Sequence, residues 1–253
     1  MATTNRPAPR VLTVLSTAQV SPNMRRIVLG GAGLSGFPAG QQGGYVKLRL
    51  PQADGKVAVR TYTISGQRED ALDIDFALHA QTARGHAGPA TEWALSVQPG
   101  ATIEVGGPGP AKPLPTGYDA YLLAGDMTAL PAIAVNLAAL PADARGHAVI
   151  EVMSDDDRLD LPRPPGVTLD YLIASQPGLQ PQALAETLAA HDWPHGSVYG
   201  WVACEFSAMK ALRSLLRDER GLGPDELYIS SYWKSGLTED AHKLVKREDA
   251  QGQ

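Results

Sequence analysis

The sequence holds a single cysteine, Cys204, in 253 residues, so no disulfide can form within the chain and any redox chemistry must be carried by a borrowed cofactor. Cysteines and histidines are not clustered along it, which argues against a structural zinc site. No apolar run approaches the roughly 18 residues of a membrane span, and the opening MATTNRPAPR lacks the apolar stretch of a secretory signal. The expectation is a cytoplasmic protein that does not insert into membranes. A basic surplus is missing too: a formal net charge of −5 offers no footprint for nucleic acid. There is no internal repeat.

What is present suits two globular domains, with 43% hydrophobic and 19% charged residues over a length that accommodates two units of about 100–150 residues. From Arg10 to about Gly109, short β-rich runs alternate with Gly and Pro: Val11–Leu15, Met24–Leu29, Tyr45–Leu50, Arg60–Ile64, Leu72–Leu78 and Thr102–Val105. Such spacing predicts a small antiparallel barrel. The polar–apolar alternation of Asp73–Leu78 predicts a strand with one buried face that delivers His79 to a rim. Gly106–Pro115 carries too many Gly and Pro residues to continue a regular element and is expected to separate a domain over 8–112 from one over 118–253.

Beyond that stretch the rhythm changes. Strands are expected at Tyr121–Ala124, Ala148–Met153, Leu169–Ile173, Ser197–Cys204 and Glu226–Ser231, with helices at Pro131–Leu140, Gln182–Ala190 and Ser207–Gly221. Strands alternating with helices imply a parallel sheet with covered faces. In the last helix Leu212, Leu215 and Leu216 fall at packing positions beside Lys210, Arg213 and Arg217. No Gly-x-Gly-x-x-Gly follows the first of these strands, so the usual dinucleotide fingerprint is missing.

Arg60-Thr61-Tyr62-Thr63-Ile64-Ser65 is the most informative segment, because a guanidinium, an aromatic ring and hydroxyls alternate along one strand. Arg60 can neutralise a phosphate, Tyr62 can lie against a flat ring system, and Thr63 can offer its backbone or hydroxyl at the ring edge. An ordinary exposed strand would explain the same residues. Downstream, Gly88, Pro89, Ala90 and Thr91 can open a helix whose free N–H groups suit a pyrophosphate, although such a turn is far more often only a turn.

Arg-x-Tyr-Thr resembles the flavin signature of the ferredoxin-reductase-like superfamily. The order His79, Gly88-Pro89-Ala90, Trp93 resembles its siderophore-interacting branch. Ala124-Gly125-Asp126-Met127-Thr128-Ala129-Leu130-Pro131-Ala132 is similar to that branch's strand-to-helix turn, and Ser231-Tyr232-Trp233-Lys234-Ser235-Gly236, with its acidic continuation to Lys243, is similar to its C-terminal signature. The resemblance spans Val11 to Lys243 and implies an FAD-binding β-barrel followed by a Rossmann-like NAD(P)-binding domain.

By the same resemblance, Arg60, Thr61, Tyr62, Thr63, Ser65, His79, Gly88, Pro89, Ala90, Thr91 and Trp93 serve FAD. Gly125, Thr128, Cys204, Glu205, Tyr232 and Trp233 border the nicotinamide. Two departures stand out. The family commonly has a second arginine where this chain has Ser65, with Arg68 or Arg84 as alternative cations, and Ala203-Cys204-Glu205 stands where the family usually shows Ala-Gly-Glu, so Cys204 is either a buried small hydrophobe or a border of the hydride path.

The implied activity is reduction of Fe(III) in a siderophore, with FAD converting a two-electron donor into one-electron transfers. No protein nucleophile or protein-bound metal is needed, because the iron comes with its chelator. NADH, NADPH or a reduced ferredoxin supplies electrons. The chelate is drawn into a basic cleft by Lys47 and Lys243, with Lys246 and Arg247 as weaker candidates. A monomer is expected. The competing readings are a general NAD(P)H-dependent flavin reductase of the same fold and a siderophore carrier that needs no FAD.

Overall fold

The computed structural model describes residues 8–52, 55–78 and 88–251. Its contacts divide the chain into two compact units, Met1–Lys112 and Pro113–Gln253. In the first, strands β1 (Arg10–Ser21), β2 (Met24–Gly30), β3 (Tyr45–Pro51), β4 (Val57–Gln67), β5 (Ala71–Ala77) and β6 (Thr102–Gly109) close an antiparallel barrel in the order β1-β2-β5-β4-β3-β6. The barrel shuts where Arg10 pairs with Val105 and Thr13 with Thr102. Alternate residues of each strand fill the interior: Leu12, Ile27, Leu48, Ile64, Ile74 and Phe76 have no exposed surface. Helix α1 (Pro89–Ser96) lays Ala90 and Ala94 onto this core.

Two expectations need correction. β6 continues through the Gly- and Pro-rich segment as far as Gly109, because its glycines let the neighbouring strand lie closer than a side chain would permit. A Cβ at Gly109 would sit 2.0 Å from the Tyr45 ring, so Tyr45 itself covers that part of the strand. β5 is buried on both faces, not one. Its Asp73 and Asp75 are each 7% exposed because arginines fork onto them: Arg68 reaches Asp73 at 2.6 and 2.8 Å, and Arg26 reaches Asp75 at 2.7 and 2.8 Å.

The second unit comprises β7 (Ala120–Asp126), α2 (Leu130–Ala139), β8 (Arg145–Val152), β9 (Gly166–Ile173), α3 (Ala183–Ala189), β10 (Val198–Glu205), α4 (Phe206–Arg213), β11 (Leu227–Trp233) and α5 (Glu239–Gln251). The five strands pair in parallel in the order β11-β10-β7-β8-β9. The chain builds β7, β8 and β9 outward in one direction and β10 and β11 in the other, so β7 and β10 flank the switch point. Ligands of open α/β sheets bind beside the carboxyl ends of strands at such a point. β7 and β8 are buried on both faces along almost their whole length, which is why they read as nearly continuous apolar runs.

The helix expected over Ser207–Gly221 instead passes from α4 into a π-helical turn over Ser214–Glu219, where Arg220 N–H donates to the Leu215 carbonyl at 3.0 Å. Leu212, Leu215 and Leu216 remain buried as the periodicity requires. α5 is an addition to the expected elements. Among the described residues no helix is long and apolar enough to cross a membrane.

Candidate functional site

On β4, Arg60 and Tyr62 share a face with buried Ala58 and Ile64, while Thr61 and Thr63 project from the other. Tyr62 is half-buried. Its ring centroid lies 4.2 Å from that of Phe76, which is in turn 5.6 Å from that of Trp93 on α1. The three rings form one aromatic wall whose inner member is locked in the core. Arg60 is partly buried, and its Nη1 donates to the Val59 carbonyl at 2.9 Å. Lys47, opposite Thr61 across the β3–β4 pair, belongs to the face away from Tyr62.

α1 has Gly88 at its N-cap and Pro89 in the first turn, and among the described residues no side chain caps its N–H groups. Among the described residues, a Cβ at Gly88 would meet nothing within 4 Å. Thr91 is buried, as is Ala90, and both fix the helix rather than project from it. A flat aromatic face, a guanidinium and an uncapped helix N-terminus are the donor set that a flavin dinucleotide requires, and these residues fit FAD.

Ser65 is turned elsewhere: its hydroxyl donates to the Asp73 carbonyl at 3.0 Å. Arg68 is taken up by Asp73, whose carboxyl this guanidinium holds below its ordinary range, so the cation offered as a substitute for the family's second arginine is committed to the barrel wall. His79 and Arg84 lie outside the described residues.

At the carboxyl edge of the parallel sheet, Asp126 is the hub. It is 4% exposed, and four donors meet it: Thr128 N–H at 2.9 Å and hydroxyl at 2.5 Å on one oxygen, Glu205 N–H at 2.8 Å and the Trp233 indole N–H at 2.7 Å on the other. One carboxylate thus ties the ends of β7, β10 and β11 across the switch point. Glu205 accepts from Ser207 N–H, from Ala208 N–H at 3.2 Å, and from Ser235 N–H at 3.1 Å, so it caps α4 and pins the segment after β11. Glu151, at the end of β8, is the third carboxyl of this edge. Burial, reinforced by Asp126, pushes its pKa up to about 7.

The remaining expected residues divide between this edge and other tasks. Thr128 and Trp233 stand on Asp126, and Glu205 beside it. Gly125 is a packing glycine, since a Cβ there would lie 2.7 Å from both the Ala203 carbonyl oxygen and Ile133 Cδ1. Cys204 is fully buried in the apolar core and burial raises its thiol well above the ordinary value, as a small hydrophobe at this position would be. Tyr232 is half-buried, and burial with its Tyr228 neighbour keeps the phenol protonated. Lys246 donates to the Ser230 hydroxyl at 2.6 Å and the Ser231 carbonyl at 3.0 Å, so its ammonium holds α5 to β11. Lys243 pairs with Glu239 at 3.0 Å one turn away, and Arg247 is exposed.

Glu151 is the residue that sequence reasoning passed over. A lone acid inside the apolar run Ala148-Val149-Ile150-Glu151-Val152 was the available signal. At the opposite edge of the sheet His147, Asp170 and His191, far apart in sequence, come together, a juxtaposition that spacing along the chain does not show.

Comparison with known proteins agrees with this geometry. Residues 13–59 and 51–112 match the siderophore-interacting FAD-binding domain, and residues 118–236 match the siderophore-interacting protein family. The ferric vibriobactin reductase ViuB of Vibrio cholerae is 33% identical over 92% of both chains. The crystal structure of the siderophore-interacting protein SipS from Aeromonas hydrophila superposes with a TM-score of 0.83 at 32% identity, covering 96% of this chain and 98% of that one. A siderophore utilization protein from T. fusca gives 0.81 at 30% identity, covering 91% and 94%. With its flavin-binding barrel, its parallel sheet and these relatives along nearly its whole length, the chain belongs to the siderophore-interacting protein family.

Proposed function

We propose that the protein is an FAD-dependent ferric siderophore reductase, passing electrons from NAD(P)H or a reduced ferredoxin to Fe(III) in a siderophore so that Fe(II) is released. One observation carries the reading: the Arg60–Tyr62 strand faces an aromatic wall beside an uncapped helix end, in a chain one-third identical to a ferric siderophore reductase over 92% of its length. Hard oxygen donors hold ferric iron tightly and ferrous iron weakly, so reduction is the release step. Bound FAD supplies the exchange between a two-electron donor and a one-electron acceptor.

The chain's own residues bind and orient. Tyr62 presents a ring face whose tilt is fixed by Phe76 and Trp93, Arg60 neutralises phosphate charge, and the N–H groups opening α1 receive the pyrophosphate. Residues 8–112 form the FAD unit and 118–253 the donor unit. A nicotinamide approaching the switch point meets Trp233, which Asp126 holds by its indole nitrogen. Lys47, Lys243 and Arg247 attract the anionic chelate, whereas Lys246 serves α5. The protein works as a cytoplasmic monomer.

The test compares Fe(II) release from a ferric siderophore with release from ferric citrate, in wild type and in Lys47→Ala and Lys243→Ala. The expected result is a preference for the siderophore that falls severalfold in either variant, with flavin content unchanged. Equal rates on both chelates would make the protein a general flavin reductase. Unchanged rates in both variants would remove these lysines from the site.

A further inference from the structure

The amino edge of the parallel sheet carries a second constellation, at the other end of the strands from the Asp126 edge. Pairing of β8 with β9 sets His147 opposite Thr168, and Asp170, two residues on, shares their face. α3 then brings His191 onto the same face. Nε2 of His147 stands 3.5 Å from Asp170 Oδ2, and Nε2 of His191 stands 3.2 Å from the same oxygen. The two imidazoles face each other with centroids 3.5 Å apart and planes at 39°.

The tautomer follows from the neighbours. His147 Nδ1 contacts the Thr168 hydroxyl, which itself donates to the Gly146 carbonyl at 3.4 Å. The hydroxyl therefore accepts from Nδ1–H, and Nε2 is left with a bare lone pair. His147 is only 5% exposed, and among the described residues this buried Nε2 has no hydrogen-bond partner. A lone pair turned toward a carboxylate oxygen is unfavourable unless a cation sits between them. Buried polar atoms without partners are rare enough that this one demands an account.

We propose that His147, Asp170 and His191 form a binding site for one divalent transition-metal ion, with Zn2+ as its natural probe. Two imidazole nitrogens and a carboxylate oxygen are a standard donor set for such ions, and Thr168 is the outer residue that orients the buried histidine. In a tetrahedral site with metal–ligand bonds of about 2.0–2.1 Å, neighbouring ligand atoms lie about 3.3–3.4 Å apart. The two carboxylate–imidazole separations, 3.5 and 3.2 Å, lie near that value, and the facing imidazoles must swing apart to bring both Nε2 lone pairs onto one ion. An adjoining cavity of about 490 Å³ is lined by Asp192 and His195 among others. Water can complete the coordination from there. The ion would clamp β8, β9 and the segment after α3, a role independent of flavin or siderophore.

The experiment uses the full chain without an affinity tag, stripped by chelator and titrated calorimetrically with Zn2+. Expected are one ion per chain, a dissociation constant on the order of 1 µM or tighter, and a thermal midpoint raised by on the order of 5 °C at saturation. Asp170→Asn and His191→Ala, both at accessible positions, should weaken binding at least about tenfold and abolish the midpoint rise. Thr168→Val should weaken it about tenfold while leaving all three ligands in place. Circular dichroism without metal establishes that each variant is folded. Absence of saturable binding, or binding that survives both Asp170→Asn and His191→Ala, would overturn the proposal and leave the cluster as a proton-bridged ion pair.

Discussion

A carboxylate buried at a strand end is costly unless donors meet it, and Asp126 meets four. Replacing Trp233 by Phe removes one of them while keeping an aromatic surface. Urea unfolding should show a loss of about 1–3 kcal/mol. Glu151 is the opposite case: held near pKa 7 against an ordinary 4.5, its carboxyl is protonated in the fold at acidic pH and must ionise under strain above neutrality. Because the folded value is the higher one, the fold is penalised progressively as pH rises from about 4.5 to 7, and the penalty is complete above that. Glu151→Gln removes it. Wild type and variant should have similar stability near pH 4.5, and the variant should be more stable at pH 8 by roughly 3 kcal/mol. Parallel pH profiles for the two proteins would contradict the assignment.

For Cys204, complete burial has a simple consequence. The thiol should resist alkylation in the native protein and react on unfolding. This residue also shows where sequence reading stops: Ala203-Cys204-Glu205 gives the strand end correctly but not the side of the sheet on which the sulfur lies. Ser65 and Arg68 show the same limit, because only the Asp73 fork reveals that both are already engaged.

Among elements, strands with alternating or continuous apolar runs were legible because burial follows from period alone, and β1 to β5 and β7 to β11 fall where that pattern predicts. The extension of β6 was hidden by Gly and Pro, which usually break strands but here make room for Tyr45. α5 was hidden for another reason. Its sequence is mostly charged, and polar ties hold it in place: Arg213 to Asp249 at 2.6 and 2.9 Å, Lys246 to β11, and buried His242 to the Ser231 hydroxyl at 2.8 Å. Asp249→Ala leaves a partly buried guanidinium unpaired and should cost about 1–3 kcal/mol. Hydrogen exchange should rise within Glu239–Gln251 and remain unchanged in the barrel.

For the whole molecule, the barrel-then-parallel-sheet order was legible from a change in hydrophobic rhythm at the Gly- and Pro-rich junction, and the flavin strand from one six-residue alternation. The switch-point carboxylates and the histidine pair were not, since each is assembled from strands that meet only after folding. The Tyr62–Phe76–Trp93 wall is the proposed flavin platform. Tyr62→Ala should lower FAD retained on purification several-fold, because the ring lost is a half-buried member of a wall whose other rings stay in place.

The central claim is electron flow from a reduced donor through bound FAD to siderophore iron, and anaerobic absorbance of the FAD-loaded protein tests it most directly. Successive additions of NADH, NADPH or reduced ferredoxin, then of a ferric siderophore with a ferrous-iron trap, should bleach the flavin band with at least one donor and restore it as trapped Fe(II) appears. A flavin that no donor bleaches, or one that bleaches and is not reoxidised by the ferric siderophore, would contradict the account.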